Sequence, residues 1–62
     1  MASSELLDFA QSVQALAGKY EVTAGTVLHA IATQVETLEE LKQLDFKDLD
    51  AVVQEGLAEL GR

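Results

Sequence analysis

The sequence predicts an all-α fold, a small bundle of three to four short helices formed by residues 1–62 as a single domain. Three observations carry that expectation. Capping residues with suitably spaced neighbours mark helix starts at Thr23, Thr37 and Asp45. Apolar side chains recur at three-and-four spacing along the intervening segments. Period-two alternation, the mark of a half-buried strand, is missing because Gln and Glu fill the alternate positions.

The first helix is expected over residues 4 to 17, capped by Ser3 or Ser4 and ended by Gly18 in the left-handed C′ conformation. Leu6, Phe9, Ala10, Val13, Leu16, Ala17 and Tyr20 share one arc of it, with Asp8, Gln11, Ser12 and Gln14 outside. Leu7 falls about 60° beyond the arc's edge at roughly 100° per residue, so it either widens the core or stands exposed. Residues Lys19 to Val22 form a connector.

The second helix, residues 24 to 34, starts at the Thr23 cap, with Val22 and Val27 as the hydrophobic staple. Its apolar face is Ala24, Val27, Leu28, Ile31 and Val35, and Leu28 and Ile31 are expected to be core residues. Thr37-Leu38-Glu39-Glu40 reads as a capping box, in which Glu40 reaches back to the N–H of Thr37. It opens a short third helix, residues 38 to 43, with Leu38, Leu41 and then Leu44 apolar. Asp45 caps the fourth, residues 46 to 60, with Leu44 and Leu49 as the staple and Asp48 placed favourably in the first turn. Leu49, Val53, Leu57 and Leu60 form its buried side, Phe46 and Val52 its margins. Connections this short predict that successive helices pack as neighbours and that the third crosses them steeply.

Two glycines bear on packing and ends. Gly56 lies inside the last helix, where glycine costs about 1 kcal/mol relative to alanine, so close packing against another helix is expected there, either within the bundle or between chains. Gly61 reads as a helix end. At this length a hydrophobic core barely offsets chain entropy, and with no cysteine a disulfide or thiolate site cannot supplement it. A homodimer is therefore more expected than for a larger domain.

Charge excludes further classes. Eleven acids stand against four bases, and eight of those acids lie from Glu36 onward. Such a surface repels phosphate backbones and anionic membranes, so direct nucleic-acid or membrane binding is disfavoured. Acidity otherwise keeps a small protein soluble and suits a partner with a basic patch. The lack of cysteine fits a reducing cytoplasm, and Met1-Ala2-Ser3-Ser4 has no basic region followed by an apolar stretch, so a cytoplasmic location is expected.

Catalytic and metal chemistry find little support. His29, the lone histidine, lies almost opposite the second helix's apolar face and reads as a surface residue. Ser3, Ser4 and Ser12 have no nucleophile-elbow context. Asp45-Phe46-Lys47-Asp48-Leu49-Asp50 followed by Glu55 fails as a calcium loop. One register puts Lys47 and Leu49 at ligand positions, and the other puts Val52 there. The run reads as a helix cap and a solvated face, and no cofactor is expected.

The last helix carries an acidic stripe. Asp48, Glu55 and Glu59 project within about 20° of one line, beside Val52 and Gly56. Carboxylates next to an apolar patch suit a partner carrying Lys or Arg. The expected function is a small acidic protein–protein interaction module of regulatory-subunit, adaptor, antitoxin or inhibitor type, with Leu7, Asp48, Val52, Glu55 and Glu59 as partner-binding residues. The last three helices also have a helix-turn-helix-like outline, which makes a DNA-binding transcriptional regulator the principal alternative. An acidic DNA mimic is another.

Overall fold

A computed structural model describes residues 4–61. It is all-α, with α1 (Ser4–Tyr20), α2 (Ala24–Gln34), α3 (Leu38–Lys42) and α4 (Phe46–Leu60) joined by connections of three residues each. The expected starts of α2, α3 and α4 are found as read. Thr26 N–H donates to Thr23 Oγ1 at 3.2 Å, Glu40 N–H to Thr37 Oγ1 at 3.2 Å, and Asp48 N–H to Asp45 Oδ1 at 2.9 Å. Each bond satisfies an N–H that the first turn leaves without an intrahelical partner. The capping box closes differently from expectation: the Glu40 carboxylate accepts from Glu36 N–H at 3.1 Å, one residue before the cap. For α1, Ser4 is already helical, and the alternative cap Ser3 lies outside the described residues.

The end of α1 also departs from expectation. The helix runs through Gly18 to Tyr20, and the left-handed residue is Glu21, with φ 57°. Val22 N–H donates to Ala17 O at 2.9 Å and Glu21 N–H to Gly18 O at 3.4 Å, the 6→1 and 5→2 pattern of a Schellman motif. The left-handed end expected at Gly18 thus comes three residues later. Val22 packs against the cluster that contains Ala17, and this apolar contact decides where the chain turns. Gly61, at the end of α4, keeps a right-handed conformation with φ −78°.

The core is Val13, Leu16 and Ala17 of α1, Val27, Ala30 and Ile31 of α2, and Leu49 and Val53 of α4. Phe9, Tyr20, Val22, Val35, Leu41, Leu44, Val52 and Leu57 pack half-buried around it. The most extensive interface joins α2 to α4, α1 lies mainly on α2, and α3 has no extended interface with another helix. Successive helices therefore do not all pack as neighbours. At five residues α3 is too short to present a packing face, and it serves to return the chain so that α4 can meet α2.

Gly56 explains that meeting. A Cβ at this position would lie 2.2 Å from the carbonyl oxygen of Ala30 and 2.8 Å from its Cα, so the two backbones are in direct contact. The approach turns α2 toward its small residue. Ala30 is fully buried, while Leu28, expected in the core, is 46% exposed. At roughly 100° per residue Leu28 sits about 60° outside the arc from Ala30 to Ile31. Ala24 is exposed for want of cover at the helix start, and Ala10 at the margin of its arc. Leu60 is exposed because α2 stops opposite Glu59, to which Gln34 Nε2 donates at 2.6 Å.

Candidate functional site

Periodicity fixes the direction in which a side chain leaves its helix but not whether a neighbour reaches that far along the axis. Leu6 lies within the apolar arc of α1, yet it is 65% exposed, because α1 extends past the helices that cover its middle. Leu38 on α3 is 75% exposed and Phe46 at the start of α4 is 50% exposed. These three residues line one groove, about 650 Å³ in volume, between the first half of α1, α3 and the start of α4. Its floor is half-buried Phe9, Leu41 and Leu44 with buried Leu49. Glu5, Asp8, Lys42 and Asp45 supply its exposed polar border.

The neighbouring structure holds the groove open. Thr37 and Asp45 cap the helices on either side of the 43–45 connection, so Leu41, Leu44 and Leu49 face the core across one turn. Large apolar side chains left around a common opening, with polar groups at its border, are the pattern of an interaction surface. Singly exposed Leu7, at 53%, lies outside the residues that line the groove.

The expected partner-binding residues distribute as follows. Asp48, Glu55 and Glu59 are exposed on α4, and Val52 is half-buried against the core. Glu55 and Glu59 border a second, smaller depression of about 370 Å³ with Gln34 and Ala58. Leu7 and Asp48 line neither depression. His29 stands exposed on α2. Among the described residues, no group of three or more His, Cys, Asp or Glu is placed to hold a metal ion, and no helix is long and apolar enough to cross a membrane.

A polar cluster at the other end of α1 escapes sequence reasoning. Lys19 Nζ and Tyr20 OH both donate to the Asp50 carboxylate, one to each oxygen, tying α1 to α4. Lys19 Nζ also lies 5.4 Å from the Tyr20 ring centroid. Asp50, read from the sequence as part of a solvated face, is thus half-buried and doubly bonded. The Lys19 bond, then the Tyr20 bond, hold its carboxyl below the usual range. The bond to Asp50 is the chief cause that raises both the Lys19 ammonium and the Tyr20 phenol. The signal available in sequence was Tyr20 on the apolar arc, since a half-buried phenol normally finds an acceptor. Which acceptor it finds depends on how α4 crosses α1.

The groove thus joins apolar residues that the sequence scattered over three helices, and the α4 stripe lies apart from it. Compared with known proteins, the chain matches no family model, no curated protein and no solved structure.

Proposed function

We propose that this chain is a small acidic protein-interaction module, of regulatory-subunit, adaptor, antitoxin or inhibitor type, that acts in the cytoplasm by taking an apolar element of another protein into the α1/α3/α4 groove. The observation that carries the reading is the convergence of exposed Leu6, Leu38 and Phe46 on one opening above an apolar floor. Burying a side chain of this kind against a partner is worth about 1.5–3 kcal/mol, which is the usual source of affinity at the centre of an interface. The α4 carboxylates Asp48, Glu55 and Glu59, with Val52, make up a second contact surface that steers a basic partner, and exposed Leu7 on α1 supplies a separate apolar contact. The module works without a reaction of its own. DNA reading is disfavoured because α4, the longest of the last three helices, exposes Asp48, Glu55 and Glu59 against Lys47.

Site-specific photocrosslinking in the native host tests this reading. Benzoylphenylalanine at position 38 should give a discrete heavier adduct containing a second protein, and Phe46→Glu should abolish it. The same group at exposed position 33 should give none. Equal adducts at both positions, or none at position 38, would remove the groove from the function. An adduct consisting of this chain alone would make the groove a homodimer interface.

A further inference from the structure

Resting on the reading of the groove as a protein-binding site, we infer that its occupant is a basic amphipathic α-helix carrying three apolar anchors at i, i+3 or i+4, and i+7.

The form of the occupant follows from what the groove offers. Its main chain is helical or capped, with the Thr37 and Asp45 side chains already bonded to the N–H groups of Glu40 and Asp48. No strand edge borders it among the described residues. An extended peptide buried here would find no backbone partners, and an unpaired buried amide is costly. A helix satisfies its own main chain and presents side chains alone, which is the helix-in-groove mode of recognition. The length agrees. On α1 the lining residues run from Glu5 to Ser12, which is roughly 10 Å at 1.5 Å per residue and matches the span from i to i+7.

The charge of the occupant follows from the border. Glu5, Asp8 and Asp45 line the groove against Lys42 alone, and the chain as a whole carries a net charge of −7. Lys or Arg flanking the anchors would be drawn by the net negative charge of this border, whereas an acidic helix would be repelled. This disfavours a second copy of the chain as the natural occupant. Its four bases are dispersed in the sequence, with Lys19 bound to Asp50, Lys42 in the groove itself, Lys47 between Asp45 and Asp48, and none on α2. An anionic lipid headgroup or fatty carboxylate meets the same repulsion.

The test uses three fluorescein-labelled peptides of about eighteen residues, long enough to hold a helix once bound. The first has Leu at the anchor positions and Lys opposite, the second has Glu for each Lys, and the third is a scramble of the first. By fluorescence anisotropy with the full chain, the basic amphipathic peptide should bind about tenfold or more tightly than either control. Its amide shift changes in two-dimensional NMR should centre on Leu38, Leu41 and Phe46. Leu38→Ser should weaken it, and Asp8→Lys, which neutralises the net negative border, should remove most of the preference for the basic over the acidic peptide, both at unchanged helicity. Equal binding of the acidic peptide or the scramble, or shift changes centred on α2, overturns the inference. So does the absence of peptide binding together with a dimer that Leu38→Ser dissolves, or with flotation on phosphatidylcholine vesicles. If a protein is crosslinked at position 38 while the basic peptide fails, the interaction reading survives and the helical, basic occupant is rejected.

Discussion

The two ends of this molecule use apolar residues in opposite ways. Along the α2–α4 seam small residues are buried: Gly56 brings main chain against Ala30, and Val27 and Val53 are fully enclosed. At the groove large residues are exposed: Leu6, Leu38 and Phe46 keep half or more of their surface in solvent. Size alone would assign the residues the other way round. The difference teaches that burial follows backbone separation. Where two helices can touch, even alanine is sealed, and where only the five-residue α3 intervenes, leucine is not.

Matched truncations on the two sides should break this comparison most sharply if it is wrong. Leu16→Ala, at a fully buried core position, should destabilise by roughly 2–5 kcal/mol through lost transfer energy and a residual cavity. Leu38→Ala should leave the unfolding free energy from chemical denaturation within about 0.5 kcal/mol of the parent, as expected of an exposed site. Equal losses would mean that the groove is closed in solution.

The glycines give a comparison of opposite signs. Gly56→Ala drives a methyl into the main chain of α2 and should cost about 1–3 kcal/mol, because backbone atoms cannot move aside as a flexible side chain can. Gly18→Ala meets nothing within 4 Å on an exposed helical position, and it should stabilise by as much as about 1 kcal/mol. Thermal melts of the two variants moving in the same direction would sink the proposed seam geometry. Smaller again is Glu21→Gly. It relieves a side chain held at φ 57°, so it should stabilise by roughly 0.5–1 kcal/mol, provided that the Schellman bonds are kept.

The smallest effect belongs to the Lys19–Tyr20–Asp50 cluster, where Lys19 stands exposed and solvent screens its charge. Asp50 is held below its ordinary range, so its contribution is present above the unfolded carboxyl pKa and fades as pH falls through the lower folded value. Lys19 and Tyr20 are raised, so theirs is present below the unfolded values and fades as pH rises through the higher folded ones. Asp50→Asn should therefore flatten both limbs of the stability profile and return the Tyr20 phenol toward its ordinary range in ultraviolet titration. A Tyr20 titration unchanged in Asp50→Asn would show that the two groups do not meet in solution.

The candidate site was legible only in fragments. Phe9, Leu38, Leu41, Leu44, Phe46 and Leu49 were all recognisable as apolar helix positions, but a linear pattern cannot show that α3 leaves their common opening uncovered. The α4 stripe was readable as a direction on one helix, and Glu59 does stand exposed there, yet its bond to Gln34 joins helices twenty-five residues apart in sequence. Ala30 was the residue most easily overlooked. Gly56 announced a close approach, and the partner of such an approach must be small, but several alanines met that condition.

By itself the sequence determined the all-α class and the starts of α2, α3 and α4, because capping and propensity act within one turn of the chain. It placed the left-handed end of α1 at Gly18, and the structure places it three residues later, at Glu21. The tertiary structure decided the pairing of α2 with α4, the rotation of α2 that exposes Leu28, and the groove at the overhanging end of α1. The physical reason is one of range. Capping bonds close between residues three apart, whereas burial depends on which helices meet and how closely, and Gly56 against Ala30 fixes that distance between segments that share no local geometry.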